Sequence, residues 1–101
     1  MVTNEMKDYE LYLVLSMNLG EEGRETLLNK FCAIIKSNGQ VDKIDKWGKR
    51  RLAYSINKEH DGFYVLVNFK STSEIPAEIT RIARISNGLL RYLVVKNVEE
   101  I

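Results

Sequence analysis

Apolar and polar residues alternate from Tyr9 to Met17, which predicts a first strand with Tyr9, Leu11, Leu13, Leu15 and Met17 on one face. The opposite face, Glu10, Tyr12, Val14 and Ser16, is only half polar. After a turn at Asn18 to Gly20 the period changes. Leu27, Leu28, Phe31, Ile34 and Ile35 recur at helical spacing, behind Glu21, Glu22 and Glu25, whose charge suits a helix start. Asn38-Gly39 is the stop signal, because glycine tolerates the left-handed conformation past a helix end.

A long second strand is predicted from Gln40 to Ile56. Its alternation breaks at Trp47-Gly48, since Val41 and Trp47 have odd parity and Leu52, Tyr54 and Ile56 even. A bulge at Gly48 accounts for the switch, as one inserted residue exchanges the faces. Beyond it Lys49, Arg51, Ala53 and Ser55 share one side. Asn57 to Gly62 are expected to form a hairpin loop, with Asp61-Gly62 as its tight turn. The third strand, Phe63 to Lys70, sets Phe63, Val65, Val67 and Phe69 against Tyr64, Leu66, Asn68 and Lys70. A second helix follows, capped by Ser73 or Thr72, with Pro76 in its first turn and Ile75, Ile79, Ile82 and Ala83 as its buried stripe. Asn87-Gly88 ends it, and Leu89 to Lys96 is the fourth strand.

The order β-α-β-β-α-β is the ferredoxin-like α+β arrangement, a four-stranded antiparallel sheet with two helices on one face. Right-handed connections put strands one and three in the centre. At 101 residues the chain is expected to be one domain, with 1–7 and 98–101 flexible. Two helices cover one face only, so Tyr12, Val14, Tyr64 and Leu66 should lie on an open face, an apolar patch suited to a partner.

Charge sharpens this picture. The formal net charge is only +1, so any nucleic-acid argument rests on local distribution. Residues 43 to 58 carry six Lys/Arg against one acid, and Lys46, Lys49, Arg50 and Arg51 fall within six positions beside Trp47 and Tyr54. Such a cluster suits phosphate contacts; alternatively, it only guards an edge strand against mispairing. Lys49 and Arg51 on one edge strand, with Arg91 and Lys96 on the other, are expected to flank the open patch.

Chemistry of other kinds has little support. Cys32 is the sole cysteine and sits within the first helix, so an intrachain disulfide is excluded. His60 is the sole histidine, in the predicted loop, and no His, Asp or Glu set has metal-ligand spacing. An acylphosphatase-like enzyme needs a phosphate-cradling loop after strand one, where Glu21 and Glu22 would repel phosphate. An RNA recognition motif expects a cation before Gly62 and two outward aromatics, whereas Asp61 and Val65 stand there. No cofactor, metal, small-molecule substrate or membrane is expected, and a reducing, cytoplasmic setting fits. A protein-only interaction module remains an alternative to RNA binding.

Trp47-Gly48-Lys49-Arg50-Arg51-Leu52-Ala53-Tyr54, then Ile56 and Lys58, then Gly62 and Tyr64, resembles the bacterial small-subunit ribosomal protein six family. Tyr9-Glu10 and Leu90-Arg91-Tyr92-Leu93-Val94-Val95-Lys96 are similar to that family's first and last strands, so the likeness spans about residues 8 to 97. The resemblance implies a non-enzymatic constituent of the small-subunit platform, binding 16S ribosomal RNA together with small-subunit ribosomal protein eighteen. On it, Lys46, Lys49, Arg50, Arg51, Lys58, Arg91 and Lys96 are expected at RNA, and Tyr12, Val14, Trp47, Tyr54, Tyr64 and Leu66 at the protein partner.

Overall fold

A computed structural model describes residues 6–56 and 58–97. Its elements are β1 (Lys7–Ser16), a short 3-10 turn (Met17–Leu19), α1 (Gly20–Ser37), β2 (Gly39–Ile56), β3 (Glu59–Ser71), α2 (Ile75–Arg84) and β4 (Leu89–Lys96). The sheet order is β2-β3-β1-β4, with every neighbouring pair antiparallel. The expected fold class and central position of strands one and three are therefore present. The expected flexibility of 1–5 and 98–101, and the place of Asn57, lie outside the described residues. Lys7, expected in a flexible end, already pairs with Ser71.

The core lies between the helices and one sheet face. Leu11, Leu13 and Leu15 of β1 meet Val65, Val67 and Phe69 of β3, and Leu28, Phe31, Ile35, Ile75, Ile79 and Ala83 of the helices close over them. Tyr9 and Phe69 stack at 5.4 Å within it. A buried Leu or Phe side chain is worth about 1.5–3 kcal/mol relative to exposure, so this set is what fixes which sheet face is covered. Ser16 caps the 3-10 turn: its Oγ accepts from the Asn18 N–H at 3.1 Å. Glu21 and Glu22 occupy the first turn of α1 and Lys36 its last, as the helix dipole favours.

Two local readings of the sequence need correction. Neither Ser73 nor Thr72 caps α2. Glu74 stands at the cap position with helical dihedrals and makes no capping bond, and the Thr72 hydroxyl turns to the Glu74 carboxylate at 3.1 Å. The hairpin is also longer than predicted. Glu59 already pairs with Ile56, and Asp61 and Gly62 are strand residues opposite Arg51 and Arg50. The reversal runs instead through Lys58, which holds a left-handed φ of 66°. Asp-Gly favours turns, so the sequence predicts one at Gly62, but there the missing side chain serves packing.

Candidate nucleic-acid and partner interface

The predicted bulge is present. Lys46 opposes Val65 and Gly48 opposes Tyr64, so Trp47 is the extra residue, and Gly48 supports it with a φ of 86°. This insertion places Lys46 on the helix side of the sheet and Gly48 on the open side, since residues directly opposite share a face. Lys46 there ion-pairs with Glu25 of α1. Trp47 swings over the open face and meets Tyr12 edge-on, with ring centroids 6.4 Å apart.

The open face is assembled from all four strands. Tyr12 opposes Leu66 on β3 and Leu93 on β4, while Val14 opposes Tyr64 and Arg91. Tyr12, Tyr64 and Leu66 are half-buried and Trp47 is exposed, and a depression of about 260 Å³ lies among Tyr12, Trp47, Tyr64, Arg91 and Leu93. Desolvation on this face, reinforced by the Glu10 carboxylate to which the Tyr12 hydroxyl donates at 3.2 Å, pushes the Tyr12 phenol above its ordinary pKa. At the far end Lys70 lies between Asp8 and Asp42, at 3.8 and 3.7 Å. Lys70 is thus locally balanced at that end.

Val14 is a correction. Alternation alone puts it in the open, yet it is 7% exposed. A Cβ at Gly62 would stand 2.5 Å from Val14 Cγ1, so the bare glycine is the space into which Val14 packs, with Leu52 alongside. Val14 therefore supports the patch from beneath. Leu93, 55% exposed, extends the patch instead. Sequence reasoning missed it because its neighbour Tyr12 is set by the β1–β4 register, which the single strand does not reveal.

The cations divide by the same register. Past the end of β1, where Ser16 opposes Gly62, β2 and β3 continue as a two-stranded arm. Arg50 faces the open side with Gly62, whereas Lys49 and Arg51 face the helix side with Phe63 and Asp61. Lys49 and Arg51 thus do not flank the open patch as expected; Arg50 does, two residues along β2 from Gly48, whose row runs through Tyr64 and Val14 to Arg91. Lys49, Arg50, Arg51 and Lys58 are all exposed; among the described residues Lys49 alone of the four is within ion-pair distance of an acid, Asp61 at 4.0 Å, although Asp61 also lies opposite Arg51. Glu59 is turned away, accepting from the Ser16 hydroxyl at 2.6 Å. Arg24 of α1 sits 4.4 Å over the Phe63 ring at the arm's root. Lys96 opposes Tyr9 at the other end of the sheet, remote from the arm. The structure therefore gathers Lys49, Arg50, Arg51 and Lys58 with Arg91 nearby, and leaves Lys46 and Lys96 outside that group.

Tyr54, at 80% exposure, borders a small depression with Tyr64 and Arg91 and stacks on no ring among the described residues. Cys32 is buried in α1, and burial pushes its thiol above the usual range. No group of His, Cys, Asp and Glu among the described residues is arranged to hold a metal, and no described helix is long and apolar enough to cross a membrane.

Comparison with known proteins follows the same outline. The sequence model of a family described as ribosomal protein S6 matches residues 8–96. The small ribosomal subunit protein bS6 of Thermoanaerobacter pseudethanolicus is 43% identical over 95 residues, covering 93% of this chain and 100% of the relative. That of Clostridioides difficile is 44% identical over 90 residues, covering 89% and 98%. The crystal structure of 30S ribosomal protein S6 from Thermotoga maritima superposes with a TM-score of 0.86 at 26% identity, covering 92% of this chain and 89% of that one.

Proposed function

Since the chain belongs to the ribosomal protein S6 family, a family of non-enzymatic small-subunit proteins of the cytoplasmic ribosome, we propose that it grips 16S ribosomal RNA with its cationic arm while its open sheet face receives small-subunit ribosomal protein eighteen. Ribosomal RNA and ribosomal proteins are the partners its membership supplies; the finer assignment rests on one observation. The surface separates an apolar face (Tyr12, Trp47, Tyr64, Leu66, Leu93) from a projecting arm bearing Lys49, Arg50, Arg51 and Lys58. An apolar depression favours a protein, because its burial is what stabilises the contact. Exposed guanidinium and ammonium groups favour phosphate, whose neutralisation releases counterions.

Within this reading Arg91 joins the arm at the edge of the open face. Lys46 contributes once phosphate replaces Glu25, and Lys96 meets a separate stretch of RNA at the other end. Val14 acts through the packing of Tyr64 and Leu52. The whole chain is read as one domain, offering both surfaces at fixed distance during platform assembly.

Salt titration of binding to the 16S central domain tests the RNA half. Arg50→Ala/Arg51→Ala is expected to lower affinity and flatten the log–log salt slope by roughly 1.5, the loss of about two phosphate contacts. Unchanged affinity and slope would remove the arm from the RNA interface. For the protein half, Tyr64→Glu should abolish co-purification of protein eighteen with the circular dichroism of the fold retained. Leu93→Glu, at a more exposed site, repeats the test should Tyr64→Glu not fold; retention of the partner by a folded variant contradicts the assignment.

A further inference from the structure

We infer that Tyr54 is a stacking platform for an unpaired base of small-subunit ribosomal RNA, held beside the phosphates that Arg50 and Arg51 contact. The inference rests on the reading of the arm as an RNA contact and names what that contact recognises.

The backbone supplies the first observation. Between the pairs Arg51–Asp61 and Ile56–Glu59, β2 spends Leu52, Ala53, Tyr54 and Ser55 while β3 spends His60 alone. Four residues facing one cannot lie in a regular ladder, so β2 arches outward. Leu52 returns inward from the arch: a Cβ at Gly62 would lie 3.4 Å from Leu52 Cδ2. Tyr54 does not return. At 80% exposure it stands out further than Ile85, Leu93 or Trp47 at 68, 55 and 42%.

A lone exposed aromatic is ordinary on a protein surface. Here its surroundings select an occupant. No acid occurs from Lys46 through Lys58, Arg50 and Arg51 are exposed just before the arch, and Lys58 follows it. Cations beside a free aromatic face match the two halves of a nucleotide, phosphate and base. Trp47 and Tyr12 already engage one another on the apolar face, whereas Tyr54 meets no other ring among the described residues. A base inside an A-form duplex is stacked on both sides, so the base received here must be unpaired.

The test measures affinity of the full chain, with protein eighteen present, for the 16S central domain across a salt series. Tyr54→Ala should weaken binding about 5- to 100-fold and Tyr54→Phe no more than about twofold, while Tyr54→Leu should stay weak because stacking needs a ring. The salt slope should be unchanged in all three, as no phosphate contact is removed. Ultraviolet crosslinking should also join a nucleotide to the peptide carrying Tyr54. Wild-type affinity in Tyr54→Ala, with Arg50→Ala/Arg51→Ala still weakened, overturns the stacking role and leaves the arm at the RNA. Rescue by Leu as well as by Phe overturns it in favour of an apolar contact with the protein partner. If neither the arginine nor the tyrosine variants lose affinity, the RNA reading of the arm falls and the stacking role with it.

Discussion

Gly62 shows how one residue type carries two opposite meanings. Next to Asp61 it reads as turn glycine, yet in the sheet it is there for what it lacks: Val14 Cγ1 would be 2.5 Å from its Cβ. Gly62→Ala is therefore expected to destabilise the fold by about 1–3 kcal/mol in urea unfolding, the usual scale of overpacking. In a Val14→Ala background most of that increment should vanish, because the obstructing methyl is gone; strict additivity would show that the clash is not the cause. Gly48 differs, having open space around it and a φ of 86°. Gly48→Ala should cost about 1–2 kcal/mol from left-handed strain alone. Cys32 offers a simpler check. Desolvation raises its thiol, with Lys36 opposing the shift, so a disulfide reagent should label it only as fast as the protein opens. Immediate stoichiometric labelling of the native protein would contradict the burial.

Among the elements, the ones with a single unbroken period were legible. The first strand and the first helix differ from their predicted limits by a residue or two, and the fourth strand matches at Leu89–Lys96. The bulge at Gly48 was legible too, but a second one between Val41 and Lys43 was not, so Val41 and Trp47 lie on opposite faces despite their equal parity. The hairpin was not, because a left-handed turn at Lys58 has no compositional signal while Asp61-Gly62 has a strong false one. The start of α2 failed similarly: Ser73 and Thr72 are good caps by type, but the chain reaches the helix through Glu74 already in helical dihedrals. Ser73→Ala should accordingly change stability by less than about 0.5 kcal/mol, against the roughly 1 kcal/mol lost with a working cap. Among the candidate site residues the chemistry is legible in the sequence and the geometry is not. Lys46, Lys49 and Arg51 are neighbours along the chain, but Lys46 turns to Glu25, and their faces depend on the β2–β3 register, which a single strand does not encode.

At the scale of the molecule, the arm makes the shape elongated. The extents are 49 × 29 × 20 Å and the radius of gyration is 14.2 Å, against about 13 Å for a compact chain of this length. Two strands without helices over them hold few buried contacts, so the arm should open more readily than the core. Native-state hydrogen exchange is expected to protect amides of Leu11, Leu13, Val65 and Val67 up to global stability, while those of residues 52–56 exchange through local opening. Equal protection in both sets would mean that the arm is as rigid as the core. The opposite pole has its own consequence. Tyr9 pairs with Lys96, and the Asn97 N–H donates to the Asp8 carbonyl at 2.9 Å, so both ends of the fold leave together from the side remote from Tyr54. A fluorescent dye joined beside Asn97 would sit at the pole opposite the arm, next to Lys96 and the separate stretch of RNA proposed for it. Such a labelled protein should leave the arm's contacts free while the dye reports on the second stretch of RNA as it closes over Lys96.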